Sequence, residues 1–395
     1  MLRFRKKDGS NYPDWIEHRI DEIFSLTRGY VIPVSELSTE PNDEYCFPVY
    51  SSQTKNNGLM GYYNRSLYEN AITWTTDGAN AGTTKFRKGK FYCSNVCGVL
   101  LNQDGFANQC IAEMINEVSK RYVTYGGNPK LMNNVMAAIK IKFPCLEEQQ
   151  KIADCFLSVD TVITDYEAQV KNMVNQKKGI MQKLFSQEVR FKADDGSEYS
   201  EWKKRTLRDG FYIKARIGWQ ALTKAEYLSE GDYYLVTGTD IMPNHTVNLN
   251  TCHFVSKERY EMDDAIQLQE GDVIVTKDGT IGKVAQITKF DKPATLNSHL
   301  FLIRDEKKTV INRFLLYLLT SPLFDEFVAK TRMGGTLTGL PQKALIEFSF
   351  DEPCIEEQQK IADCLSAFDD TIEDLQKTVE HWKNIKKGLL QQLFA

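Results

Sequence analysis

SSQTKNNG (residues 51–58) and TTDGANAGTTKFRKGK (75–90) crowd amides, hydroxyls and cations into turn-rich stretches of a 395-residue chain. Such side chains suit hydrogen bonding to nucleic acid. Asn and Gln can bond adenine through two hydrogen bonds, Arg and Lys can take guanine, and Ser and Thr can serve bases or phosphates. The candidates in the first half are Ser52, Gln53, Lys55, Asn56 and Asn57, then Thr76, Asp77, Asn80, Thr83, Lys85 and Arg87. In the second half TKDGTIGK (276–283), NSH (297–299) and TRMGGTLTGLPQK (331–343) are comparable. They supply Lys277, Asp278, Thr280 and Lys283, then Asn297 and His299, then Arg332, Thr336, Thr338 and Lys343. Any one of these loops could be an ordinary turn, since Asn, Gly, Asp and Thr favour turns.

Catalytic chemistry is harder to find. No GxxxxGK[ST] phosphate loop occurs, and DGTIGK (278–283) has the wrong spacing and lacks the Ser or Thr. HExxH, GxSxG and a GxGxxG after a strand are absent, as are the Asn-Pro-Pro-Tyr and Asp-Pro-Pro-Tyr motifs of amino-methyltransferases. The five histidines (His18, His245, His253, His299 and His381) have no partners evident from spacing, and read as structural or solvated. The acidic pairs Asp263/Asp264 and Asp369/Asp370 read as surface charge, the second pair facing out of a helix. The nine cysteines include no CxxC pair, so reduced thiols and no structural metal are expected. No catalytic site, cofactor or metal is expected on this chain.

What must position such loops is a unit written twice. EEQQKIADC stands at 147–155 and again at 356–364. The repeat extends over 144–186 and 353–395 with about half the positions identical, and a shorter echo opens each half, RFRKKDGSNYPDW (3–15) against RFKADDGSEYSEW (190–202). Internal repeats of this kind outrank local motifs in setting architecture. Within the repeat, apolar residues step by four and three: Ile152, Phe156, Val159, Ile163, Tyr166, Val170 and Met173 in one copy. The other gives Ile361, Leu365, Phe368, Ile372, Leu375, Val379 and Trp382. That spacing predicts long coiled-coil helices. Each seam is interrupted once, by Lys177 and by Lys386. The paired glutamates 147/148 and 356/357 fall in a first helical turn, where they complement the dipole.

If the halves are equivalent, the two helices pair antiparallel with one globular block at each end, and about 38 helical residues span about 55–60 Å. The expected division is a first domain at 1–143, a spacer helix at 144–187, a second domain at 188–352 and a second spacer helix at 353–395. The fold class is α+β, two globular domains of mixed α/β structure joined by two long antiparallel coiled-coil helices in a pseudo-two-fold repeat. Strands are expected at 45–50, 71–76 and 137–143, and at 233–238, 272–277 and 299–303. Single helices are expected at 107–122 and 311–331. TWTTDGANAGTTKFRKGKFYCSNV (73–96) parallels IVTKDGTIGKVAQITKFDKPATLNSH (274–299), so the blocks share a fold while differing in surface chemistry.

The bulk properties agree with this reading. The chain is too long for one ordinary domain. The N-terminus is basic without an apolar core, and no run approaches the roughly 20 apolar residues of a membrane span, so a cytoplasmic protein with no membrane partner is expected. Net charge is −4, yet residues 1–143 carry 17 basic and 14 acidic groups while 188–352 carry 22 and 25. Local charge, not the total, decides whether phosphates can be met.

The doubled EEQQKIA helix starts, the W-K-x-x-x-L at 202–207 and the TLTGLPQKAL stretch at 336–345 resemble the specificity (S) subunit of type I restriction–modification systems. FPVYSSQTKNNGLMGYY (47–63) followed by ITWTTDGANAGT (72–83) resembles a recurrent target-recognition domain of that family. The resemblance covers essentially the whole chain. It implies two target-recognition domains reading a bipartite, asymmetric sequence of double-stranded DNA. It also implies a non-catalytic chain docked to two modification (M) subunits that carry S-adenosylmethionine and methylate adenine. Restriction (R) subunits would add ATP- and Mg-dependent translocation and cleavage. The alternatives are a tandem coiled-coil scaffold whose heads bind protein or glycan, and a nuclease without a recognisable motif.

Overall fold

The computed structural model describes residues 2–52, 55–216, 222–333 and 339–394. They form two compact units, Met1–Glu167 with Lys377–Ala395, and Ala168–Gln376.

In the first unit the strands are β1 (Ile16–Arg19), β2 (Ser25–Arg28), β3 (Phe47–Tyr50), β4 (Leu59–Tyr63), β5 (Tyr68–Thr75), β6 (Thr84–Cys93), β7 (Cys97–Leu101) and β8 (Lys140–Phe143). β1 and β8 pair alone, and the others form one sheet in the order β2-β7-β5-β6-β3-β4. Only β3–β6 is parallel. The helix Gln109–Ser119 starts where the Asn108 side chain accepts the Ile111 N–H, and its apolar side joins Ile72, Trp74, Leu100 and Leu131 in the core.

The second unit repeats this plan. Its strands are β9 (Lys203–Thr206), β10 (Phe211–Lys214), β11 (Tyr233–Val236), β12 (His253–Val255), β13 (Val273–Thr276), β14 (Val284–Gln286), β15 (Ala294–Leu296), β16 (Leu300–Asp305) and β17 (Ser349–Glu352). β9 pairs β17 as β1 pairs β8, and β10-β16-β13-β14 matches β2-β7-β5-β6. β12-β11-β15, again with one parallel pair, matches β4-β3 and the end of β6. The ten-residue β6 is thus broken here into β14 and β15. The intervening segment ends in Pro293, which has no N–H to give a ladder. The shared fold expected from the two parallel stretches is present.

One helix boundary differs from expectation. The stretch 311–331 is two helices, Asn312–Leu319 and Pro322–Met333, because proline is tolerated at a helix start and not in its interior. Thr320 and Ser321 turn the chain between them, their hydroxyls donating back to Leu316 and Leu318 carbonyls. The stretch 107–122 is helical from Gln109, closing in a 3-10 turn at Lys120–Tyr122.

The repeats form two helices of 40 residues, Leu146–Phe185 and Ile355–Phe394. Within the first unit Asp160 meets Lys386 and Glu167 meets Lys383, ascending against descending numbers, so the helices run antiparallel there. Ile152, Phe156, Ile361 and Leu365 are fully buried; Val159, Ile163 and Val379 are buried. Tyr166, Val170, Met173, Phe368, Ile372, Leu375 and Trp382 are half-buried, as a two-helix seam leaves them. Gly179 and Gly388 lie inside unbroken helix, and a Cβ at either would meet nothing within 4 Å. Neither serves close backbone approach.

Each seam lysine has a defined partner. Lys177 reaches Asp369 at 2.5 Å, and Tyr317 donates to the other oxygen of that carboxylate at 2.6 Å. Lys386 bonds Asp160 at 3.0 Å and Glu113 of the neighbouring helix at 2.8 Å. Burial disfavours the Lys386 ammonium, but the two carboxylates outweigh it and its pKa is raised. Asp369 is therefore not outward surface charge as its sequence suggested; it is the counter-ion of a buried lysine. Asp370 is exposed.

Candidate nucleic-acid interface

The verbatim nonamer builds a clasp that seats each globular part on a long helix. Glu148 is fully buried, and its carboxylate takes Arg3 Nε and Nη2 at 2.9 Å each and Trp15 Nε1 at 2.9 Å. In the second unit Glu357 takes Arg190 at 3.2 and 2.8 Å and Trp202 Nε1 at 2.8 Å. A planar guanidinium fork fits a carboxylate in a way lysine cannot. The next residue holds the neighbouring helix start. Gln149 accepts from Asn108 Nδ2 at 2.7 Å and donates to the Pro144 carbonyl; Gln358 accepts from Ile311 N at 2.9 Å and donates to the Pro353 carbonyl. Lys151 and Lys360 donate to the carbonyls of Arg5 and Lys192. The second glutamate of each pair thus does more than complement a helix dipole.

Above this frame each unit carries the same hairpin. In the first, Thr75 N donates to Thr83 O and Gly82 N to Thr75 O; in the second, Thr276 N donates to Lys283 O and Gly282 N to Thr276 O. Gly78 (φ +93°) and Gly279 (φ +65°) occupy the left-handed region that glycine tolerates. Leu131 N pins the Thr76 carbonyl in one unit and Leu340 N the Lys277 carbonyl in the other. The side chains on the two hairpins differ.

In the first unit the candidates divide into frame and tip. Arg87 is 5% exposed, its guanidinium lies 3.8 Å from the Tyr50 ring centroid, and it donates to Thr73 Oγ1 at 3.1 Å and to the Asn57 carbonyl at 2.9 Å. Burial lowers its pKa. Lys85 bonds the Asn57 side-chain oxygen, and its pKa is lowered first by burial and then by Arg87. Asn56 and Asn57 both sit at positive φ (48° and 55°) and are exposed. So Arg87 and Lys85 hold a strained loop whose outer residue is Asn56. Ser52, Thr83, Lys85 and Arg87 share a pocket of 20 Å³. Thr76 is fully buried and donates to Asp77 at 2.7 Å, and Asp77 also faces Lys130 at 3.6 Å. Asn80 is half-buried in the hairpin.

In the second unit Asp278, Thr280, Lys283, Asn297 and His299 line one cleft of 490 Å³. His299 Nδ1 lies 2.6 Å from Asp278 Oδ1, while Asn297 Oδ1 accepts the His299 backbone N–H at 3.0 Å. Lys277 packs over the Phe301 ring at 5.5 Å, and Lys343 is exposed on the short helix Gln342–Leu345. Gln53, Thr336 and Thr338 lie outside the described residues, as do the side chains of Lys55 and Arg332. The cleft also contains Tyr227, Thr237, Thr239 and His253, which sequence reasoning missed. The usable signal was the polar loop after β11, VTGTD (236–240), which follows its strand as YSSQ (50–53) follows β3. Ser94 N donates to Tyr50 O and Asn297 N to Val236 O, which places the two loops in register.

Among the described residues no helix is long and apolar enough to cross a membrane, and no group of three or more His, Cys, Asp or Glu could hold a metal ion.

Comparison with known proteins agrees with this plan. The chain is 25% identical to the type I restriction enzyme MjaVIII specificity subunit of Methanocaldococcus jannaschii over 418 positions, covering 99% of this chain and 95% of that one. A Mycoplasma pneumoniae protein named as a type I specificity subunit is 36% identical over 165 residues, 41% of this chain. The match spans 53% of that relative's length. The crystal structure of a type I restriction–modification S subunit from M. genitalium shares the fold, with a TM-score of 0.59 at 16% identity over 100% of this chain and 99% of that one. The profile of the type I restriction modification DNA specificity domain matches twice, at 12–176 and 199–381. With both units matched over most of their length, this chain belongs to the type I restriction modification DNA specificity family, whose domains give DNA sequence specificity.

Proposed function

We propose that this chain is the non-catalytic DNA-reading subunit of a type I restriction–modification complex, each unit reading one half of a bipartite, asymmetric target. The observation that carries this reading is the pair of equivalent hairpins with unlike side chains. One topology is clasped in the same way twice, yet it offers an Asn loop held by Arg87 and Lys85 in one unit and a His–Asp–Lys cleft in the other. Equivalent scaffolds with different donors and acceptors are what reading two different half-sites requires.

In this scheme Asn56, Lys283 and His299 meet base edges or flanking phosphates, the buried Asn297 holds the His299 backbone, and the other exposed candidates take phosphates. The domains follow the division at 143/144, 187/188 and 352/353, with the long helices setting the unread spacer. Two M subunits dock on the helices and heads and bring S-adenosylmethionine for adenine methylation; R subunits bring ATP- and Mg-dependent translocation and cleavage. With a net charge of −4 on the chain, the M subunits complete the positive channel around DNA. The complex works in the cytoplasm.

The test is to map adenine methylation in cells that carry this chain with its M partner, before and after replacing residues 1–143 by the corresponding block of another family member. A split motif that changes in one half only is expected. A motif that changes in both halves, or methylation that needs no sequence, sinks the proposal.

A further inference from the structure

The second unit's cleft contains a pair with no counterpart in the first. Asp77, the hairpin equivalent of Asp278, is engaged by Thr76 and Lys130, whereas Asp278 holds the His299 imidazole at 2.6 Å. Both members of the pair stand on pinned backbone. His299 N–H goes to Asn297 Oδ1, its carbonyl accepts Lys277 N, and the Lys277 carbonyl accepts Leu340 N. A carboxylate can only accept, so Nδ1 carries the proton toward Asp278. In the neutral ring Nε2 is then an obligatory acceptor. That nitrogen has no hydrogen-bond partner among the described residues, and His299 lines the open cleft.

Resting on the function proposed above, we infer that the Asp278–His299 pair determines specificity in the half-site read by the second unit. It selects a base that presents an exocyclic amino group in the major groove. Adenine and cytosine offer such a donor there, at N6 and N4; guanine and thymine offer O6 and O4, which a lone pair repels. Asp278 acts as the positioning residue. It fixes which ring nitrogen is the acceptor, and His299 makes the contact.

The experiment is methylation of a randomised duplex library by the full chain assembled with its M subunits, at about pH 8.5, above the usual imidazole range. The wild-type complex should require A or C on one strand at one position of the second half-site. In Asp278→Asn the carboxamide can donate to Nδ1 as well as accept from it, so the tautomer is no longer fixed and Nε2–H can turn outward. The preference at that one position should move toward G or T by about tenfold, with the first half-site unchanged. His299→Gln, whose amide both donates and accepts, should relax that same position. Loss of methylation that is uniform over sequences in both variants, or an unaltered preference in either one that still methylates, overturns the inference. Should Asp278→Asn not assemble, His299→Gln decides by itself. Wild-type methylation indifferent to the entire second half-site would sink the function proposed above, an outcome distinct from failure of the pair.

Discussion

In the first unit Trp74 stands opposite Gly98 on adjacent strands; in the second, Val275 stands opposite Phe301 at the same place in the ladder. A Cβ on Gly98 would come within 2.3 Å of three Trp74 ring atoms, so the large residue has room only because its neighbour has no side chain. In the other unit the bulk sits on the partner strand. Total volume across the pair is what the core constrains, and either strand can supply it. The clasps behave differently. Arg3–Trp15–Glu148 and Arg190–Trp202–Glu357 use the same three residue types with the same contacts. Packing tolerates exchange, whereas a bidentate ion pair closed by an indole N–H does not, because its energy depends on direction as well as distance.

Substitutions can test how far the likeness between units goes. The largest effect is expected for Phe156→Asp and Leu365→Asp, which place a carboxylate at fully buried seam positions. Each should cost more than about 4 kcal/mol and open its own unit to limited proteolysis. A variant as resistant as wild type would show that the seam does not hold that unit together, and normal assembly with M subunits would separate helix pairing from docking. Next come Glu148→Ala and Glu357→Ala, which strand a guanidinium and an indole N–H. Both should lose about 3 kcal/mol in denaturant unfolding, near the lower end for a broken buried pair because the arginines keep partial exposure. Unequal losses would mean that the two clasps are alike in geometry and not in energy.

Gly98→Ala should destabilise the first unit by about 2 kcal/mol, the size of an overpacked core, and Gly98→Phe should be tolerated better together with Trp74→Val, which moves the bulk to the partner strand as in the second unit, than by itself. Failure of that rescue would contradict the shared-volume account. The smallest effects concern DNA binding. Lys283→Ala, if that lysine meets a phosphate, should weaken every DNA sequence alike and flatten the salt dependence by about one. Arg87→Gln should lower affinity for the first half-site without changing the salt slope, because its guanidinium is turned onto Tyr50 and the Asn57 carbonyl. A flattened slope for Arg87→Gln would return it to the phosphate contacts.

Much of the scaffold was legible before any coordinates. The four-and-three spacing located both helices, every seam residue named from it is buried or half-buried, and Pro144 and Pro353 stand just ahead of the helices. Parallel stretches in the two blocks located the hairpins. The 311–331 boundary went astray because apolar periodicity runs straight through Ser321 and Pro322, and the rule for proline had to override it. Of the site, the candidates of the second unit's cleft were named, but Tyr227, Thr237, Thr239 and His253 were not. They come from the end of a 3-10 turn, the loop after β11 and the start of β12, a stretch of chain apart from the named candidates.

Repetition and periodicity are properties of neighbouring letters, so sequence alone settled that there are two units of one kind, each seated on an amphipathic helix. The roles of individual polar residues were decided only in three dimensions. Glu148 became a buried anchor through an arginine 145 positions away, Asp369 a counter-ion through Lys177, and Arg87 a prop through Tyr50 and a loop 30 positions distant. A charged or amide side chain is solvated, paired or strained according to what the fold brings within about 3 Å of it. That neighbourhood is set by long-range packing, which no short stretch of sequence contains.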